Sequence, residues 1–223
     1  MTYQVQFLPA ERGFLEIAMK SFTKHELIGV LLILLVVGSI TLYNLNIAIR
    51  RSRDSQRKSD LGSISDALHK YQADFGFFPP SENGKIKACK NDLFDDISAE
   101  LKESKRLNTS KFFEGERPCE WGADKFVDLF DERYPAYLLV IPQDPKAGEG
   151  ANYLYFSNTN RFQLYSYLEG GGSEDGYDTG IVGRNLSCGR GICSFGKSYG
   201  ETPLDKSIED YEEELVRQQK GGK

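Results

Sequence analysis

Apolar residues along this chain fall into one unbroken run followed by two periodic patterns. From Leu27 to Ile49 there is no charged residue. Those 23 residues would span roughly 34 Å as a helix, enough to cross a hydrocarbon core of about 30 Å. Further on, Leu61, Ile64, Leu68, Tyr71 and Phe75 recur at spacings of 3, 4, 3 and 4 among polar residues, which predicts that the helix continues in amphipathic form. Pro79-Pro80 ends it. The result is one helix of about 54 residues from Phe22 to Phe75, roughly 80 Å long, apolar all round in its first half and striped in its second. Gly38-Ser39 is its candidate soft point, since Gly inside a helix costs about 1 kcal/mol relative to Ala.

The second pattern has period 2. Asn152–Ser157 and Arg161–Leu168 alternate around Asn158-Thr-Asn160, which predicts a hairpin. Between the two patterns, Ser81 to Gln143 is long, polar and mixed. There Leu93, Ile97 and Leu101 suggest one short helix and Phe126, Leu129 and Phe130 another, with Trp121 and the Cys89/Cys119 pair tying the insertion down. At the end, Thr202-Pro203 reads as a helix start. Leu204, Ile208, Tyr211 and Leu215 repeat at 4, 3 and 4 on an acidic segment, a helix that packs on the domain or meets a neighbour, or else a disordered tail.

The predicted fold class is therefore α+β, a long N-terminal helix with a small C-terminal antiparallel sheet packed on it. Its organisation is an N-terminal segment at 1–21, which the resemblance described below makes a leader, an apolar helix at 22–49, transmembrane by length and a filament core by that same resemblance, and the amphipathic continuation at 50–80. A helical and loop insertion follows at 81–143, the sheet with a Gly-rich loop at 144–199, and the acidic helix or tail at 200–223.

Composition narrows the function. With 39% hydrophobic and 27% charged residues, the chain has room for one anchor and one modest soluble domain. The net charge of -5 gives no basic surface for nucleic acid. Cys89, Cys119, Cys188 and Cys193 all follow the apolar run, and an even count there predicts two disulfides in an oxidising compartment. Of the three possible pairings, sequence neighbourhood favours Cys89 with Cys119 and Cys188 with Cys193. A zinc site would want closer Cys pairs or histidines, and His25 and His69 lie elsewhere. The sequence has no nucleophile elbow, P-loop, dinucleotide turn or His cluster, so no catalytic residue is expected.

The front of the apolar run has its own chemistry. Residues 1–21 mix Glu11, Arg12, Glu16 and Lys20 with a weak apolar patch, whereas a secretory signal would place its apolar region before the cut. The junction reads Ser21-Phe22-Thr23-Lys24-His25-Glu26-Leu27. It resembles that of the type IV pilin and pseudopilin family, in which a small residue ends the leader and Phe-Thr-Leu-Ile-Glu-Leu opens the mature helix. Phe22 matches the first mature residue and Glu26 the fifth. The departures are Ser21 in place of the usual Gly, and Lys24-His25 in place of two apolar residues.

The resemblance implies cleavage between Ser21 and Phe22 by a prepilin peptidase, N-methylation, and polymerisation through the helix with pilus or secretion machinery in the membrane. It makes Glu26 the assembly residue, neutralising an N-terminal amine on the same or a neighbouring subunit. A carboxylate at the edge of hydrocarbon costs several kcal/mol unless it is paired; the simpler reading is that Glu26 snorkels to the headgroups. It further implies a bacterial cytoplasmic membrane protein with its C-terminal domain exoplasmic, then an extracellular or periplasmic filament. Arg50, Arg51, Arg53, Arg57 and Lys58 by themselves point the domain inward, while the cysteines point it outward. The competing function is an uncleaved, single-pass anchored exoplasmic binding or receptor domain that keeps its leader.

The run Ile141-Pro-Gln-Asp-Pro145, followed by Tyr153-Leu-Tyr155 and a second strand ending in Leu168-Glu169, is similar to the major pseudopilins of type II secretion. Gly170 to Gly180 clusters oxygens on a Gly-rich loop, a composition shared by calcium sites and by solvated turns. The same resemblance implies Ca2+ there, with Ser173, Asp175 and Asp178 as candidate ligands.

Overall fold

A computed structural model describes residues 23–104, 109–131 and 133–221, and the Ser21/Phe22 junction lies outside them. The fold is α+β. The chain divides into two compact units, Met1–Ile49 and Arg50–Lys223. In the first, helix α1 (Lys24–Phe75) begins with Lys24 and passes without a break through Gly38-Ser39. The Ser39 hydroxyl donates to the Leu35 carbonyl at 2.8 Å, which keeps its polar group on the helix itself. The large apolar side chains here face outward, as at Leu35 with 67% exposure. This is the one helix among the described residues long and apolar enough to cross a membrane.

In the second unit the amphipathic half of α1 closes over the domain. Leu61, Ile64, Leu68 and Tyr71 are buried as the spacing predicts, each contributing about 1.5–3 kcal/mol through lost apolar exposure. The helix stops at Phe75 because Gly76 adopts the left-handed conformation (φ 82°), its N–H donating to the Gln72 carbonyl at 2.8 Å. Tyr71 stacks on Phe75 and Phe126, with ring centroids 4.5 and 5.2 Å away.

Two three-stranded antiparallel sheets follow. The first comprises β1 (Ser81–Glu82), β2 (Lys85–Lys90) and β3 (Glu116–Pro118) in that order. Asn83 and Gly84, both at positive φ, make the tight turn between β1 and β2. Helices α2 (Phe94–Ser104) and α3 (Thr109–Glu114) lie between β2 and β3 and gather a small apolar cluster of Phe94, Leu101, Phe112 and Leu129. The second sheet comprises β4 (Leu154–Ser157), β5 (Phe162–Ser166) and β6 (Phe195–Ser198), with β5 central and buried along its whole length. The β4/β5 register, Ser157 opposite Phe162, is the predicted hairpin around Asn158-Thr-Asn160.

Two expectations need correction. Phe126, Leu129 and Phe130 form no helix. Phe126 exchanges backbone hydrogen bonds with Leu138 at 2.9 and 3.1 Å, and Asp128 Oδ1 accepts from the backbone N–H groups of Phe130 and Asp131, a local turn that outcompetes helix. The C-terminal helix α5 (Ile208–Gly221) starts later than Thr202-Pro203. Ser207 Oγ accepts from Asp210 N–H at 3.0 Å as its cap, while Thr202 is buried beside β6, where its carbonyl accepts from Ser198 Oγ. Ile208 is buried, Leu204 packs on the apolar cluster that includes Tyr165 and Ile181, and Tyr211 and Leu215 are half-buried.

Candidate functional site

The apolar half of α1 opens on a reciprocal cap. Thr23 N–H donates to Glu26 Oε2 at 2.7 Å, and Glu26 N–H donates to Thr23 Oγ1 at 3.4 Å. Thr-x-x-Glu thus satisfies two of the N–H groups that a helix start leaves orphaned. The only acid at the mouth of the apolar run therefore has a partner within its own first turn, a role the sequence signal Thr23-Lys-His-Glu26 carries and that the junction's other features obscure.

A second constellation lies on the other half of α1. Arg57 and Asp54 are fully buried. Arg57 Nε and Nη2 donate to the two Asp144 oxygens at 2.7 and 2.9 Å, and Nη1 donates to Asp54 Oδ1 at 2.8 Å and Glu169 Oε1 at 2.9 Å. The guanidinium carbon sits 4.3 Å from the Tyr167 ring centroid. Asp54 in turn accepts from the backbone N–H groups of Glu169 and Gly170, both at 2.9 Å. Arg53 closes the cluster through Nε to Glu169 at 2.7 Å.

Burial opposes the Arg57 charge, yet hydrogen bonds to Asp144 and Glu169 outweigh it and raise its pKa. Glu169 is held down to about 2, chiefly by its hydrogen bond to Arg53. Every guanidinium nitrogen of Arg57 is engaged by a carboxylate, so the cluster works as a clamp. It joins α1 to the Pro-x-Asp-Pro turn before β4 and to the loop after β5. The stripe spacing did contain the signal, because stepping back by 4 and 3 from Leu61 lands on Arg57 and Asp54.

Of the candidate calcium ligands, Ser173, Asp175 and Asp178 are all exposed. Ser173 Oγ donates to the Gly170 carbonyl at 2.7 Å. Asp178 caps the short helix α4 (Thr179–Gly183) by accepting from Gly180 N–H at 2.7 Å. These bonds shape the loop, whose first residue Gly170 the Asp54 carboxylate already fixes. Among the described residues, His, Cys, Asp or Glu ligand atoms gather in one group of three, Cys89, Cys119 and Asp124, whose sulfurs are joined to each other. Both disulfides have the expected pairing, Cys89–Cys119 across the β2/β3 edge and Cys188–Cys193 under a tight loop. The Ser21/Phe22 processing pair lies outside the described residues.

One buried group escaped the sequence altogether. Glu116, at the start of β3, is buried with neither carboxylate oxygen hydrogen-bonded. Desolvation pushes its pKa up to about 9, against a smaller opposing pull from Lys87. Compared with known proteins, no family model, curated protein or solved structure matches the chain.

Proposed function

We propose that this chain is a structural subunit of a type IV pilus or pilus-like type II secretion filament, inserted as a prepilin, cleaved before Phe22 and polymerised through α1. The observation that carries the reading is the two-part character of that helix. Its first half exposes apolar side chains on every face, its second half is the buried spine of a small α+β domain, and a lone glutamate heads it. A cut before Phe22 creates an ammonium one residue upstream of the Thr23 N–H that Glu26 already accepts, so the carboxylate has a cationic partner within reach on its own chain or a neighbour's. One feature supports an exoplasmic domain: the two disulfides call for an oxidising compartment.

A second reading, an uncleaved single-pass anchored binding or receptor domain, has one observation in its favour: the Thr23/Glu26 cap gives the glutamate a role that requires no cleavage. Mass spectrometry of the mature N-terminus separates the two. An N-methylated Phe22 is expected, and an intact Met1 would overturn the filament reading.

A further inference from the structure

On the second unit, an open cleft of about 320 Å³ is lined by Lys90, Lys125, Val127, Asp128, Asp131 and Leu139 among others. Leu139 on its wall is 75% exposed, far more than a leucine serving only this domain's core. The cleft is wide enough to receive a few side chains of a partner surface. Its lining is amphoteric: two lysines, two aspartates, and apolar Val127 and Leu139.

One described surface of the same chain has the complementary make-up. The outer face of α5 presents Glu209, Glu212 and Glu213 before Val216, and Arg217 and Lys220 after it. Val216 is 48% exposed, an apolar residue on a face of charges. Its neighbours Glu213 and Arg217 pair only with each other at 3.0 Å across two exposed side chains. Such a pair is worth roughly 0.3–0.5 kcal/mol and is readily exchanged for another.

We propose that Val216 and its flanking charges on α5 of one copy seat in this cleft of a second copy. Val216 fills the space between Val127 and Leu139, Glu213 meets Lys125, and Arg217 and Lys220 meet Asp128 and Asp131. A second copy is the fitting occupant because the contact is small. An interface of this size lies below the area that holds free proteins together, but copies tethered by apolar helices in one membrane or filament meet at high effective concentration. The two surfaces are different patches of one chain, so the contact is head-to-tail and propagates from copy to copy, as an open filament unless its rotation closes a ring. It rests on the proposed filament for that tethering.

The test uses the full-length chain in its membrane, expressed with a photo-crosslinking residue at position 216 and mixed with isotope-heavy chain lacking the probe. The expected result is a light-heavy adduct mapping to the peptide from Val127 to Leu139. Lys125→Glu should lower its yield at least fivefold, and adding Glu213→Lys should restore it. Both positions are exposed, so melting temperatures should match the parent. Adducts confined to the probe's own chain, to lipid or to another surface overturn the proposal, as does failure of the double variant to recover. Filaments are scored on the same samples by pelleting and electron microscopy. Filaments whose adducts map elsewhere sink the docking alone, whereas cleft adducts without filaments sink the filament reading alone.

Discussion

Arg57 holds Asp144, 87 residues further along the chain, in a two-pronged grip closed to solvent at both ends. Neither charge could be buried alone, since an isolated ion in a low-dielectric interior costs several kcal/mol. The pair is tolerated because Asp54 and Glu169 share the guanidinium and backbone N–H groups share the carboxylates. Arg57→Ala should therefore cost about 3–5 kcal/mol by stranding Asp144 and Asp54. Urea unfolding checks this. Arg57→Met combined with Asp144→Leu should cost clearly less than the sum of the single changes, and simple additivity would mean that the grip is not the coupling element.

Two carboxyls give stability opposite pH slopes. Glu169 is depressed to about 2 from an ordinary 4.5, so its contribution is present above pH 4.5 and lost as pH falls toward 2. Glu116 is raised to about 9, so the folded state holds its proton more tightly than the unfolded chain does. The stability this confers is intact below pH 4.5 and is lost as pH rises toward 9. Melting temperature should thus peak on the acidic side of neutrality. Glu116→Gln should flatten the alkaline limb while leaving the acidic limb unchanged. An unaltered limb above pH 6 would show that Glu116 does not govern it.

The two disulfides should differ in worth. Cys89–Cys119 closes a separation of 30 residues and Cys188–Cys193 one of 5. Chain-entropy arguments give about 3.5 and about 2 kcal/mol respectively. Replacing each pair with Ser and measuring unfolding in denaturant should give that order. The first pair also pins β2 to β3 beside a register irregularity between Lys87 and Cys89, so its loss should additionally raise hydrogen exchange along that edge.

Where one periodicity dominated, the fold was legible in the sequence. The stripe of α1 and the alternation of β4 and β5 are set by which side chains must leave water, and that is written in the spacing. The insertion was less legible because its elements are short and held by local polar chemistry. Asn83-Gly84 does announce the β1/β2 hairpin, but the Lys-rich strand after it, Lys85-Ile-Lys-Ala-Cys-Lys, looks like a solvated loop until β3 pairs with it. Phe126 to Phe130 has helical spacing, yet Asp128 offers the backbone a closer acceptor. The clamp was hidden for a different reason. Arg and Asp are ordinarily surface residues, and only the partners from distant turns make their burial affordable. Nothing in the sequence announces an orphaned acid such as Glu116, since a buried Glu and a solvated one read alike.

The last prediction separates the two roles available to Glu26. As a cap, its side chain must accept from Thr23 N–H, which an amide oxygen can also do. As the partner of an N-terminal ammonium, it must carry charge, which an amide cannot. Glu26→Gln keeps the first role and removes the second, whereas Thr23→Val removes the hydroxyl half of the cap and leaves the charge. Loss of a capping side chain costs about 1 kcal/mol, too little to expel an apolar run of this length from a bilayer. Both variants should therefore extract with the membrane fraction. On the filament reading, Glu26→Gln abolishes incorporation into sedimentable filaments, and Thr23→Val assembles nearly as the parent does. If Glu26→Gln assembles normally while Thr23→Val fails, the glutamate serves the helix start alone, and charge neutralisation at the head of α1 is wrong.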